Sequence, residues 1–120
     1  MSDIEQTVKE WLDADPRLAD WPVLRTVPPN RPTRFITVER TGGGEGLHSS
    51  TPLVTIQVWA ENRAESAYTA GLVSVRMIDM PLGISEIADT TVESVVNLPF
   101  PGPPPQARTQ VLAQITQAAQ

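Results

Sequence analysis

Between Arg34 and Ala60 the chain reads RFITVERTGGGEGLHSSTPLVTIQVWA. Two runs of alternating character, Arg34–Arg40 and Pro52–Ala60, flank a polar stretch that carries four glycines. Period-two alternation is the signature of a strand with one face buried. In the first run Ile36 and Val38 share a face with Arg34 and Arg40, and Phe35, Thr37 and Glu39 point the other way. In the second, Val54, Ile56, Val58 and Ala60 alternate with Thr55, Gln57 and Trp59. Immediately afterwards, Asn62–Ile78 changes to helical spacing. Two strands joined by a short polar connection must pair with each other, and the helix that follows must lie back on the apolar face they create. This β–loop–β–α block restricts the chain to folds that layer helices on a sheet.

The flanking segments extend the pattern. Ser2 and Glu5 have capping-box spacing, and Ile4, Val8, Trp11 and Leu12 fall on one face of a first helix that Pro16 terminates. Val23–Val27 is a short strand stopped by Pro28. In the second helix, capped by Asn62, the stripe Ala64, Ala67, Tyr68, Gly71, Leu72, Val75 and Ile78 is expected to face the sheet. Tyr68, Leu72 and Val75 would then pack on Val54, Ile56 and Val58, and Pro81 and Gly83 would end the helix. In a later strand, Thr90, Val92, Ser94 and Val96 alternate against Thr91, Glu93, Val95 and Asn97. Arg108–Ala118 sets Val111, Ala113 and Ile115 on one face, with Leu112 out of pattern. The order α-β-β-β-α-β-β predicts an α+β fold of two layers. It would have a mainly antiparallel sheet of four to five strands, two helices on one face, and a single domain spanning residues 1–120.

Composition removes several classes of function. Fourteen acidic residues against nine basic ones give a formal charge of −5, which disfavours phosphate-neutralising contact with nucleic acid. The acidic N-terminal segment has neither the basic start nor the apolar centre of a signal peptide, and no apolar run approaches the roughly 20 residues needed to cross a bilayer. The expectation is a protein made in the cytoplasm, with no membrane partner. Without cysteine there is no disulfide framework, thiolate metal site or cysteine nucleophile. Twelve prolines gather around residues 28–32 and 99–105 and read as stiff connectors.

No reaction centre emerges from the residue types. The run Gly42, Gly43, Gly44, Glu45, Gly46 lacks the lysine and Ser/Thr of a phosphate loop and precedes a strand instead of a helix. It reads as a mobile hairpin loop, continuing through Leu47 and His48. His48, the sole histidine, neighbours Ser49, Ser50, Glu39 and Glu45, but no nucleophile elbow accompanies it. The acids Glu86, Asp89 and Glu93 match no EF-hand or zinc motif. No catalytic residue, metal ligand or cofactor is therefore expected. Arg34, Arg40, Arg63, Arg76 and Arg108 outnumber the lone Lys9, a composition suited to interfaces. Trp11 belongs to the first helix's core stripe. Trp59 points away from the core face of its strand and is either covered by a second layer or used at an interface.

In order and spacing, RPTRFITVERTGGG at Arg31–Gly44, LVTIQVWAENRAESAYTAGLVSVRM at Leu53–Met77 and the late Asn97-Leu98-Pro99 followed by Arg108 form a pattern. It resembles the tail terminator proteins of long-tailed bacteriophages, particularly those infecting actinobacteria. The likeness covers most of Val27–Thr116; LPFPGPPPQAR is richer in proline than that pattern. The resemblance implies a structural virion protein and not an enzyme. It implies a homohexameric ring that caps the head-proximal end of the tail tube, ends tube polymerisation and joins the tail to the head connector. Its partners would be further copies of itself, the major tail tube protein and a connector or stopper protein. Genomic DNA would pass through the channel without specific binding. The glycine-rich segment Gly42–His48 would be an interface loop, and Glu39, Glu86, Asp89 and Glu93 would supply acids to the lumen. Another head–tail connector protein, such as a stopper or joining protein, fits the same features. A small α+β enzyme or ligand-binding domain, built around His48 or the Glu86–Glu93 acids, is the alternative of a different class.

Overall fold

A computed structural model describes residues 3–45 and 49–118. Helix α1 spans Ile4–Asp13, followed by a 3-10 turn at Pro16–Leu18 and a two-residue strand β1, Val23–Leu24. Strands β2 (Phe35–Glu45) and β3 (Ser49–Ala60) lead into helix α2 (Arg63–Ile78) and a single turn α3 (Met80–Gly83). Strands β4 (Ile87–Asn97) and β5 (Ala107–Ala118) close the chain. The five strands form one sheet in the order β1-β2-β3-β5-β4. The expected two-layer α+β architecture is present. The sheet is mixed, because β1 runs parallel to β2 while every other pair is antiparallel.

Both long helices start at side-chain caps. Asn62 accepts the Glu65 N–H at 2.9 Å, as expected. For α1 the cap is Asp3, whose carboxylate accepts the Gln6 N–H at 3.2 Å; Ser2, the cap inferred from spacing, lies outside the described residues. Ile4, Val8 and Leu12 of α1 and Ala70, Val73 and Met77 of α2 are buried on one face of the sheet. There they join Ile36, Val38, Val54, Ile56, Val58, Val111, Ala113 and Ile115 in one hydrophobic cluster. Alternation along β5 and the middle of β3 thus reads out directly as burial, whereas β2 is buried on both sides from Phe35 to Val38.

Three expectations are corrected. First, the glycine run is strand. Gly42, Gly43, Gly44 and Glu45 pair with Leu53, Pro52, Thr51 and Ser50, beyond a bulge between Arg40 and Gly42. Gly43 has φ of +103°, and a Cβ there would collide with the Thr51 carbonyl oxygen and the Pro52 Cα. Glycine at this point admits close backbone approach inside a bulged hairpin. Gly46, Leu47 and His48 lie outside the described residues. Second, α2 is rotated relative to the expected stripe. Ser66, Thr69, Ala70, Val73 and Met77 are buried and Leu72 packs half-buried against the core as expected, whereas Tyr68 is 72% exposed, Val75 50% and Ile78 53%. Third, a bulge between Val92 and Ser94 resets β4. Val92 and Val95 pair with Ala113 and Val111 on the core side, while Ser94 and Val96 pair with Leu112 and Gln110 on the other.

Candidate functional site

With both helices on one side, the opposite face of the sheet is bare over its middle. It presents Leu53, Thr55 and Gln57 of β3, Gln110, Leu112 and Gln114 of β5, and Ser94 of β4, all half-buried. Gln57 donates to the Gln110 carboxamide oxygen at 3.0 Å, so even the polar members are tied to one another. Leu112, out of pattern in the sequence, sits in the centre of this uncharged surface. Glu39 borders it on β2, in register with Thr55.

One end of the face is closed. Trp59 is buried there, stacked on Phe35 at 4.9 Å between ring centroids and tilted against Phe100 at 5.2 Å. Its indole N–H donates to the Thr37 hydroxyl at 3.2 Å. The Arg108 guanidinium lies 4.9 Å from the Trp59 ring centroid and donates to the Leu98 carbonyl at 2.8 Å. Burial pulls the Arg108 pKa down from its ordinary value. The proline-rich segment between β4 and β5 therefore acts as the second layer over Trp59. Arg31 holds this segment in place, donating to the Gln106 side chain at 3.0 Å and to the Pro104 carbonyl. Beside it, Pro29, Asn30, Arg31, Glu61 and Pro103–Pro105 line an open concavity of about 510 Å³. Five of its eleven lining residues are proline, and Arg31 and Glu61 are its only titratable groups.

The second uncovered surface is the outer side of α2 and α3. Tyr68, Val75 and Ile78 are joined by Leu82, which is 86% exposed. Ala64, Ala67 and Gly71 lie among them, also exposed. A Cβ on Gly71 would meet nothing within 4 Å. Two charges flanking the stripe are committed elsewhere. Glu65 is ion-paired with Arg34 at 2.6 Å, and Arg76 donates to the Trp11 carbonyl at 2.7 Å. The Arg34 hydrogen bond holds the Glu65 carboxyl below its usual pKa.

The arginines taken from composition as interface residues are mostly internal. Arg34, Arg76 and Arg108 make the contacts above, and Arg40 donates to the Gly42 carbonyl at 3.2 Å. Arg63 is the one cationic side chain among the described residues with no hydrogen bond or ion pair within the chain. Glu39, Glu86, Asp89 and Glu93 are all exposed. None has an ion pair among the described residues. Three of them gather on or next to β4, with Glu93 at its second bulge. Glu39 stands apart, because β3 and β5 separate its strand from β4.

Among the described residues no three His, Cys, Asp or Glu side chains come together as a metal site, and no helix is long and apolar enough to cross a membrane. No family model matches the sequence, and no curated protein matches it closely enough to be a relative.

Two features escaped sequence reasoning. The exposed stripe of α2 reads as core in the sequence, because its residues recur at helical spacing as well as the true core residues do. The bare sheet face carried one signal, Leu112 among alternating polar residues.

Proposed function

We propose that the chain is a structural virion protein, the tail terminator of a long-tailed bacteriophage. Six copies form a ring that caps the head-proximal end of the tail tube, stops its polymerisation and joins the tail to the head connector. The observation that carries the reading is the uncovered apolar side of α2 and α3, from Tyr68 to Leu82. An exposed, contiguous apolar strip marks an interaction surface. The bare and uncharged sheet face adds a second surface of different shape. Two unlike surfaces on one chain are what head-to-tail contacts in a closed ring require. The motif order between Arg31 and Arg108 supports the specific assignment to the terminators.

The unpaired acids along β4 suit a DNA conduit. Glu86, Asp89 and Glu93 would repel the phosphate backbone and let a duplex slide without sticking. A stopper or joining role shares the ring habit and differs in what it touches. Negative-stain imaging of the full chain, alone and added to purified tail tubes, tests the proposal. The expected images are rings with a central opening, seated on one end of each tube. Particles without an opening, or rings that bind connectors and never tubes, contradict it.

A further inference from the structure

We infer that the outer side of α2 on one copy covers the bare sheet face of the next copy, with Arg63 of the first near Glu39 of the second. This rests on the ring reading and specifies its contact. On β2 the outward N–H of Arg40 is already taken by the Glu5 carboxylate at 2.8 Å. On β4 two bulges interrupt the ladder, at Ile87/Asp89 and Val92/Ser94, and acids stand at both. Bulges and charges are how native sheets blunt edges against strand addition. Extension of the sheet from copy to copy is disfavoured, and the contact falls to the faces.

The two faces match in kind. The sheet satisfies its inner face with a helix of the same chain, and its outer face has the same requirement with no helix left to meet it. Burying both sides of a sheet under helices is a standard layer architecture. From Tyr68 to Leu82 the exposed strip runs for about 20 Å at helical rise, and the part of β3 and β5 left open beyond the Trp59 cover, residues 49–57 and 110–118, extends for about 30 Å, so the strip fits within the face. Neither surface buries an unpaired charge in its centre. At the margins the charges complement each other. Arg63 is the cation left without a partner, and it sits at the positive end of the α2 dipole. Glu39 is an unpaired acid on the border of the sheet face. A contact between unlike faces is heterologous and propagates around a ring.

The absence of cysteine from the chain permits a clean test. Val75→Cys, Leu112→Cys and the double variant are each treated with a short bismaleimide and resolved by mass under denaturing conditions. The expected result is a ladder of cross-linked multimers from the double variant only, and a cross-linked dimer from an equal mixture of the two single variants. Cross-linked dimers from Val75→Cys alone would mean that α2 packs on α2, and would overturn the inference. So would no cross-linking by the double variant under conditions where wild-type rings are seen in the microscope; that outcome leaves the ring reading standing. Wild-type protein that forms no ring, alone or on tubes, would overturn both. As a second readout, Arg63→Glu and Glu39→Arg should each lower ring yield severalfold at low salt, and the combined variant should restore it. Equal loss in all three variants would remove the Arg63–Glu39 contact.

Discussion

Gly83 is where the chain passes flat against Trp11. A Cβ at this position would collide with the six-membered part of the indole, which cannot move away. The ring is clamped by its N–H bond to the Arg76 carbonyl at 2.7 Å and by the Arg76 guanidinium 3.4 Å from its centroid. Gly83→Ala is therefore expected to destabilise the fold by about 1–3 kcal/mol through overpacking. Gly71→Ala, into open space on an exposed helix, should stabilise it by about 0.5–1 kcal/mol. Urea denaturation of the two variants checks both signs. Asp15 is a second decisive residue. It is buried, accepts the Arg17 N–H at 2.9 Å and pairs with the Arg17 guanidinium at 2.8 Å. The Arg17 hydrogen bond holds its carboxyl below the usual pKa against the opposing effect of burial. A depressed folded-state pKa gives stability that is complete above the unfolded value near about 3.9 and is lost as the pH falls through the folded one. The stability gap between wild type and Asp15→Asn should be widest near neutrality and narrow below about pH 4. A gap that stays constant from neutral to acid pH would show that the charge on Asp15 is irrelevant.

At the scale of elements, strands were easier to read than the facing of a helix. Burial along β5 and the middle of β3 follows alternation because each has one dry face there; β2 departs from it, since Phe35 and Thr37 are buried beside Trp59 on the other side. Helix α2 carries two apolar stripes about half a turn apart, and the larger side chains lie on the wet one. The buried stripe uses Ser66, Thr69 and Ala70, whose small size lets α2 sit close to the sheet, and Ser66 spends its hydroxyl on Thr109 at 2.9 Å. Its small and polar members, Ser66 and Thr69, make that stripe the less apolar of the two in the sequence. The glycine run misled for a related reason. Glycines signal loops, but here they permit a bulge inside a hairpin whose pairing is set by distant residues. The cover over Trp59 was one of two open alternatives, since the segment that supplies Phe100 is some forty residues away in sequence. The assignment of faces is checked on the dissociated chain. Met77→Ala should cost about 2–5 kcal/mol through lost burial and a cavity. Val75→Ala should stay within about 0.5 kcal/mol, as surface substitutions usually do. Equal costs in thermal melts would mean that the expected stripe was the core after all.

The whole molecule is covered on one face of its sheet and largely bare on the other. Its edges are blunted, its cations are nearly all spent internally, and its free acids gather along β4. With −5 on each copy, the proposed ring of six would carry a charge of about −30, part of which would face the DNA path. Replacing Glu86, Asp89 and Glu93 together with lysine should leave rings intact in the microscope while lowering infectivity, because a basic wall holds the duplex. Unchanged infectivity would remove those acids from the channel. The most direct measurement for the central claim is the length distribution of tails, by electron microscopy, in cells infected by a phage whose copy of this gene is stopped early. The account predicts tubes of uncontrolled, excessive length with no heads attached, and restoration by the wild-type chain supplied in trans. Tails of normal, uniform length joined to heads would contradict it.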